Sequence, residues 1–297
     1  MNAVNKAKAV KEVNNEFSIS PRSYQLVNKQ EVALGFDNAA SQYNSLATIQ
    51  AEIAELGLTT LENMGIKKAS NMLDIGCGTA SSCGRLLGLA QHVTGVDISF
   101  NMLQQASTNK SELETVRFTA INGDAECLPI QSNSMDIVYS SMALQWCQSP
   151  EQVLAEVYRV LKPNGSALLC ILTGESFDDL QDAWQQIGRP SRINKFHSQQ
   201  SWINASECFS WSVKTHPREV VSHHKDVLDM LASIKKIGAN TKLVDTASNI
   251  SLVNPDKTNN YMSKQEINAL SRYLKARQPY NELLALEYQL ILLAINK

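Results

Sequence analysis

Short apolar runs alternate with longer amphipathic stretches between Asn71 and Leu172. Runs of four to eight apolar residues that are rich in β-branched side chains and bounded by Gly, Asn, Asp or Ser predict buried strands. They are NMLDI (71–75), HVTGVDI (92–98), VRFTAIN (116–122), MDIVYS (135–140) and SALLCIL (166–172). Helices are predicted between them, near 81–90, 99–108 and 149–161. This alternation predicts an α/β fold, a doubly wound parallel sheet with helices on both faces.

The last of these helices carries clear start and stop signals. Ser149 suits the N-cap position, a proline follows it, and Gln152 occupies the third helical position, which is a capping-box arrangement. The sequence KPNG at 162–165 supplies a basic last turn and then turn-forming residues, so the helix is predicted to end there. Ser263 and Glu266 predict a second capping box farther along the chain.

Two less regular segments flank the alternating region. Two helices are predicted before the first strand; after the last, the pattern predicts a helix at 178–187, a strand at 211–221, helices at 225–237 and 263–277, and a final buried strand at 283–296. We therefore expect a flexible tail (1–27) and then one domain (28–297). The predicted parts of that domain are a helical cover (28–64), a cofactor-binding core (71–175), a substrate or lid region with late strands (176–282) and the final strand (283–297).

Composition narrows the class of protein. A net charge of −2 with 19% charged residues argues against a protein built mainly to bind nucleic acid. The six cysteines form no Cys-x-x-Cys pair and no zinc-like spacing, so we expect mostly buried, reduced thiols and no metal. No stretch has the length and apolarity of a signal peptide or a membrane span, and a cytoplasmic location is expected.

A glycine turn follows the first predicted strand in LDIGCGTA, residues 73–80. A phosphate, a dinucleotide or a nucleoside could each require a turn whose backbone carries no bulky side chains. The third glycine of a dinucleotide motif is replaced by Ser81, and no Gly-Lys-Ser/Thr follows as in a Walker loop. Asp74 lies two residues before Gly76, and a carboxylate there would repel a pyrophosphate but suit an ammonium group. A nucleoside that carries an amino-acid tail fits best.

Two further acids follow neighbouring strands. Asp97 ends the second strand, where a carboxylate can accept hydrogen bonds from both ribose hydroxyls. Asp124 follows the third strand and could accept from an exocyclic adenine amine. Taken singly, each acid could be only a helix cap or a turn former. Three acids at successive strand ends, together with the glycine turn, predict S-adenosylmethionine as the ligand.

These stretches carry a resemblance to a known family. The runs LDIGCGTA, VTGVDIS, MLQQA, GDAECLP, MDIVYSSMALQWC and LAEVYRVLKPNG resemble the class I S-adenosylmethionine-dependent methyltransferases. Four more runs resemble, more narrowly, the malonyl-[acyl-carrier-protein] O-methyltransferases: FDNAASQYNSLATIQ (36–50), LQWC (144–147), DAWQQIGRPSRINKFHS (182–198) and IKKIGAN (234–240). The resemblance implies a Rossmann-like, seven-stranded sheet with N-terminal helices and a helical, basic insertion that form a lid. One departure is Ala80, where many relatives have glycine.

The resemblance also implies contacts to S-adenosylmethionine, with S-adenosylhomocysteine as the product. Tyr43 matches the position at which relatives close a helix over the cofactor, although it could equally be a core residue of an amphipathic helix. The predicted cofactor-binding residues are Tyr43, Asp74, Gly76, Cys77, Gly78, Asp97, Ile98, Met102, Asp124, Ala125 and Ser140.

The implied acceptor is the free carboxylate of a malonyl thioester on acyl carrier protein, at the start of pimelate synthesis for biotin. This carboxylate is ionised at neutral pH, so no residue is expected to act as a general base. The site needs a cation or hydrogen-bond donors that hold the carboxylate, and it must exclude water. The predicted substrate-binding residues are Gln145, Trp146, Arg189, Arg192 and Lys195; the alternatives are a core role for Trp146 and surface charges for the basic residues.

Local charge favours a protein partner. Residues 185–240 contain eight Lys or Arg against four acids, which would steer an acidic carrier protein, although a mixed solvated surface is the alternative. A coenzyme A thioester could replace the carrier. Other small-molecule methyltransferases, of the quinone or polyketide type, and a non-methylating assembly protein that keeps the pocket remain alternatives. Methylation of nucleic-acid amines is disfavoured because SSMALQW replaces the Asn/Asp-Pro-Pro-aromatic turn that grips a flipped base.

Overall fold

The computed structural model describes residues 28–46, 48–66, 68–108, 116–189, 191, 193–236, 263–278 and 282–297. The predicted flexible tail, 1–27, lies outside these ranges. The seven strands of the single sheet, β1 to β7 in chain order, are Ala69–Ile75, Ala90–Asp97, Phe118–Asn122, Met135–Ser141, Leu161–Leu172, Ser212–His224 and Leu284–Asn296. Every strand predicted from the apolar runs is therefore present.

The sheet has the strand order β3-β2-β1-β4-β5-β7-β6. Strands β1 to β5 run parallel to one another, which confirms the doubly wound α/β core. Strand β7 is inserted antiparallel between β5 and β6. The chain passes from β1 to β2 and β3 on one side and to β4 and β5 on the other, so a crevice forms at the carboxyl ends of β1 and β4.

Helices cover both faces of the sheet, as predicted. Those in the described ranges, α1 to α10, are Lys29–Ala39, Tyr43–Leu46, Thr48–Asn63, Cys83–Leu89, Phe100–Thr108, Pro150–Val160, Asp178–Gln186, Gln199–Ser206, Val227–Lys236 and Lys264–Arg277. Two details differ from the sequence pattern. The N-terminal cover consists of three helices and a short 3₁₀ turn rather than two helices, and α8 was not predicted because its run is short and polar.

Capping signals are confirmed at one helix and half confirmed at another. Ser263 caps α10 with a complete box, in which its side chain and that of Glu266 each accept from the other residue's backbone N–H. At α6 the Ser149 side chain accepts from the Gln152 N–H at 3.2 Å, as expected. The Ser149 N–H, however, donates to Glu126 at 2.7 Å rather than to Gln152. The loop after β3 thus supplies the second half of this cap.

Helix α3 approaches the sheet closely through a glycine. Its buried face consists of Gln50, Ile53, Gly57, Leu58 and Leu61. A Cβ at Gly57 would lie 2.7 Å from the Cys170 sulfur and 2.9 Å from the Tyr139 hydroxyl.

The expectation of buried thiols holds for four cysteines, whereas Cys127 and Cys208 are exposed because they lie in a loop and at the end of α8.

We predict opposite effects for two glycine substitutions in helices. Gly57→Val should destabilise the protein by about 1–3 kcal/mol, because the branched side chain would push α3 off β4 and β5. Gly88→Ala in α4 is the matched control: a Cβ there meets nothing within 4 Å, and the higher helix propensity of alanine should stabilise the protein by up to about 1 kcal/mol. Urea denaturation measures both. Equal stabilities for the wild type and Gly57→Val would mean that the helix is not held at this distance.

Candidate functional site

A cavity opens at the carboxyl ends of the central strands, beneath α1, and its empty space of about 750 Å³ includes volume open to solvent. Eight of the residues predicted to bind a cofactor line it: Tyr43, Gly76, Gly78, Asp97, Ile98, Met102, Asp124 and Ala125. Gly76 and Ala125, which lie 49 positions apart in the chain, are brought together there because parallel strands end at the same edge of a sheet.

The glycine turn after β1 forms one wall of the cavity. Gly78 has a left-handed backbone (φ +53°), and a Cβ on it would meet nothing within 4 Å, so the loop is bare toward the cavity. Gly76 is also left-handed (φ +72°), but a Cβ there would lie 2.1 Å from the Ala143 side chain. The protein therefore requires glycine at position 76 for its own packing, whether or not a ligand is bound. Ala80, the departure from the resembled family, also adopts a left-handed backbone at φ +57°.

Asp97 holds this turn from the end of β2. Its carboxylate accepts from the Gly78 N–H and from the Ser99 N–H, each at 2.8 Å. Burial raises the pKa of Asp97, and the two backbone donors partly offset that rise. Each carboxylate oxygen has a second lone pair, so Asp97 can accept two more hydrogen bonds from a ligand in the cavity.

Three of the predicted cofactor residues lie behind the lining rather than in it. The Ser140 hydroxyl donates to the Ile75 carbonyl at 2.8 Å and is fully buried, and the Cys77 side chain is buried beside Gly95. Asp74 is 4% exposed. Burial, followed by the nearby charge of Asp97, raises the pKa of Asp74 to about 7. Direct contacts from these three residues to a ligand remain a prediction that the geometry does not favour.

Helix α1 is tied to the cavity rim at both ends by contacts that sequence patterns did not reveal. At its start, the Lys29 ammonium pairs with Asp124 and with Glu126, each at 2.5 Å. Burial lowers the pKa of Lys29, but the two carboxylates outweigh it and raise the pKa. Near its end, Asp37 accepts from the Ser99 hydroxyl at 2.5 Å. No local periodicity signals contacts across 62 or 95 residues.

A row of aromatic rings separates the first cavity from a second one. Phe36 packs edge-on against Tyr43 and Trp146, and Trp146 packs edge-on against Phe196, with ring centroids 5.5–6.3 Å apart. Burial, followed by the charge of Asp97, raises the pKa of Tyr43 to about 12, so its hydroxyl is neutral. The empty space of the second cavity, about 440 Å³, includes volume open to solvent, and both cavities are lined by Phe36, Tyr43, Met142 and Trp146.

The predicted substrate residues are distributed unevenly around the second cavity. Gln145 and Trp146 line it, as expected for residues that follow β4. Arg189 is exposed and pairs with Glu266 of α10 at 2.5 Å. Lys195 is exposed beside Asn194, which is a lining residue. Arg192 lies outside the described residues.

Two further expectations concern metals and membranes. Within the described ranges, no group of three or more Cys, His or acidic side chains is arranged to hold a metal ion. None of the helices built from those residues combines the length and the hydropathy of a membrane span.

Comparisons with known proteins agree with this architecture. The family described as "Methyltransferase domain" matches residues 73–169. The chain is 36% identical to the malonyl-[acyl-carrier protein] O-methyltransferase of Erwinia pyrifoliae, over 72% of this chain and 78% of that protein. It is 28% identical to the biotin biosynthesis bifunctional protein BioHC of Saccharophagus degradans, over 88% of this chain and 45% of that protein. Among solved structures, the YcgJ protein of Bacillus subtilis shares the fold, with a TM-score of 0.58, 17% identity, and coverage of 82% of this chain and 98% of that one.

The raised pKa of Asp74 predicts a pH-dependent gain of stability in Asp74→Asn. Because the folded pKa, about 7, exceeds the unfolded value of 3.8, the wild type loses stability as pH rises from about 4 through 7. The variant lacks this loss, so its advantage should grow by up to about 4 kcal/mol between pH 4 and pH 8. Urea denaturation across this pH range measures it.

Asp136→Asn serves as the control with the opposite sign. Burial alone would raise the pKa of Asp136. The ammonium of Lys162 and the N–H groups of Asn71 and Ser70 outweigh burial and lower that pKa. The wild type should therefore lose stability relative to Asp136→Asn as pH falls through the folded pKa. A difference between Asp74→Asn and the wild type that did not vary with pH would show that Asp74 ionises normally in the folded protein.

Proposed function

This chain belongs to the malonyl-[acyl-carrier protein] O-methyltransferases, and we propose that the cavity beneath α1 binds S-adenosylmethionine as its methyl donor. The enzyme esterifies the free carboxylate of a malonyl thioester, a reaction of biotin synthesis. The observation that carries the cofactor proposal is the position of Asp97, which joins the bare Gly78 turn to the cavity at the end of β2.

The lining fits an adenosyl group. Val96, Ile98 and Met102 provide apolar surface for a purine, and Asp97 stands at the strand end where a ribose binds in this class of fold. Asp124 already accepts from Lys29 and from the Glu126 N–H. Its carboxylate oxygens keep further lone pairs that can take an adenine amine.

The aromatic row fits the other end of the ligand. S-Adenosylmethionine supplies an electrophilic methyl group on a positively charged sulfur. Phe36, Tyr43 and Trp146 line the cavity, and aromatic faces attract cations by about 0.5–2 kcal/mol. The neutral Tyr43 hydroxyl and these rings also exclude water, which would solvate and weaken an attacking carboxylate.

Methyl transfer to a carboxylate requires alignment rather than acid–base chemistry. A carboxylate oxygen forms a bond to the methyl carbon while the carbon–sulfur bond breaks and its electron pair stays on sulfur, and no proton moves. The residues of this chain therefore align the two reactants and exclude water from them. We propose Gln145, Trp146, Arg192 and Lys195 for the acceptor side. Arg189 is the weakest of the predicted substrate-binding residues because its side chain pairs with Glu266.

We propose that the carrier protein docks beside β6 and the segment before α8. Lys195, Lys214 and Arg218 are exposed there. Acyl carrier proteins are acidic, and a basic surface increases the encounter rate with an acidic partner. A malonyl coenzyme A thioester could still enter the same cavity.

Loss of Asp97 should weaken cofactor binding. We expect Asp97→Ala to raise the dissociation constant for S-adenosylmethionine more than tenfold, because hydrogen bonds to a charged acceptor are worth about 1.5–3 kcal/mol and the Gly78 N–H loses its anchor. Calorimetry measures the affinity, and circular dichroism checks the fold. Asp136→Ala at the opposite end of the sheet is the matched control. Unchanged affinity in a folded Asp97→Ala variant would contradict the cofactor proposal.

The carrier surface predicts a salt effect that depends on the substrate. Raising salt should lower kcat/KM for malonyl-acyl carrier protein much more than for malonyl coenzyme A, because an extended protein contact is screened over about 8–10 Å. Steady-state kinetics between low and physiological ionic strength provide the comparison. Equal salt sensitivity of the two substrates would argue against a dedicated carrier surface.

A further inference from the structure

Lys29 begins helix α1 at a position where a cation is unfavourable. The Asn28 side chain caps this helix by accepting from the Gln30 and Glu31 N–H groups, so Lys29 is the first helical residue. The N-terminus of a helix carries partial positive charge, which repels a nearby cation. The helix itself therefore gives no reason for a lysine here, and residues that break a local rule are expected at functional sites.

The ammonium of Lys29 joins two acids that differ in exposure. It pairs with Asp124 and with Glu126, each at 2.5 Å. The Glu126 side chain is 3% exposed and also accepts from the Gln148 and Ser149 N–H groups at the start of α6. The Asp124 side chain is 32% exposed and lines the first cavity. The buried acid thus anchors Lys29, and Lys29 in turn holds the acid that faces the cavity.

Two donors fix the plane of the Asp124 carboxylate. Lys29 donates to Oδ2, and the Glu126 N–H donates to Oδ1 at 2.9 Å. Rotation of the carboxylate out of this plane would lengthen both bonds, so the lone pair left on each oxygen has a fixed direction. If Lys29 were removed, one of the two donors would be lost. The two neighbouring carboxylates would then repel each other without the cation that now binds both.

A carboxylate in a fixed orientation can distinguish purines by their substituent at position 6. Adenine carries an exocyclic amine there, which donates to a carboxylate oxygen. Hypoxanthine carries a carbonyl oxygen at the same position, so that two acceptors would face each other. A site built to pair with a donor rejects an analogue that lacks the donor, because the polar groups of the site are left unpaired.

Resting on the proposed function, we propose that Lys29 is a positioning residue for the adenine end of S-adenosylmethionine. By holding Asp124 in one orientation at the cavity wall, Lys29 determines how strongly the site prefers an adenine over a 6-oxopurine. The same contact joins α1 to the loop after β3, so the cover above the cavity is held at the place where the base is recognised.

The ratio of two affinities tests this role. S-Adenosylhomocysteine and its 6-oxo analogue S-inosylhomocysteine differ only in the base, and calorimetry gives both dissociation constants. We expect the wild type to bind the inosyl ligand about 30-fold more weakly. Lys29→Met should weaken the adenosyl ligand about tenfold and the inosyl ligand less than twofold, so that the ratio falls to about threefold. Lys29→Gln loses the charge but can still donate to one acid. It should lower the ratio at least threefold, and it replaces Lys29→Met if that variant does not fold.

A double variant shows whether Lys29 acts through Asp124. Asp124→Ala should weaken the adenosyl ligand about tenfold, because the acceptor of the amine is removed. Adding Lys29→Met to Asp124→Ala should change this affinity less than twofold, because the lysine no longer has a carboxylate to position. Losses that add up in the double variant would overturn the proposal.

Two controls separate this role from a purely structural one. Arg85 also bridges two acids, Glu55 at 2.5 Å and Glu62 at 2.7 Å, but it joins α4 to α3 rather than α1 to the cavity wall. Arg85→Met should therefore change both affinities less than twofold. Asp37→Asn weakens the contact of α1 with Ser99 near the other end of the helix, so it should weaken both ligands equally and leave the ratio unchanged. Circular dichroism checks the fold of each variant.

The outcomes distinguish this inference from the function on which it rests. Equal weakening of both ligands by Lys29→Met would reduce Lys29 to a residue that closes the cover and would overturn the proposal. A wild type that binds the adenosyl and inosyl ligands equally well would also overturn it, while the cofactor proposal would stand. A wild type that binds neither S-adenosylmethionine nor S-adenosylhomocysteine would overturn the proposed function itself.

Discussion

The buried carboxylate of Asp97 joins the parts of the protein that surround the cavity. It accepts from the Gly78 N–H in the loop after β1 and from the Ser99 N–H before α5. The Ser99 hydroxyl in turn donates to Asp37 of α1. A single strand end thereby orders the glycine turn, the start of the next helix and the cover above the cavity. The same residue lines the cavity, so under the proposed function binding and local order would be coupled.

This arrangement concentrates negative charge in a poorly solvated place. Burial raises the pKa of both Asp74 and Asp97, and the charge of Asp97 adds to the cost of ionising Asp74. Such a site is less stable than one filled with neutral side chains, and a positively charged ligand relieves part of the cost. Under the proposed function, the site would give up stability of the free protein in favour of affinity for a cation.

Charge is distributed differently around the second cavity. Basic residues such as Lys195 and Arg218 are exposed, and charge at a protein surface attracts an acidic partner at long range. The described residues that line the second cavity have aromatic, aliphatic or amide side chains.

The sequence by itself determined the strands, most helices and the eight cavity residues that the motifs marked, because alternation of apolar and polar positions reports local burial and because parallel strands end at one edge. Tertiary structure alone decided the pairing of Lys29 with Asp124, the use of Glu126 to cap α6, and the presence of Gln50 in a second cavity. Tertiary structure also buries Asp74 behind the residues that line the first cavity, and it pairs Arg189 with Glu266. These outcomes depend on contacts between residues distant in the chain, which local periodicity does not encode.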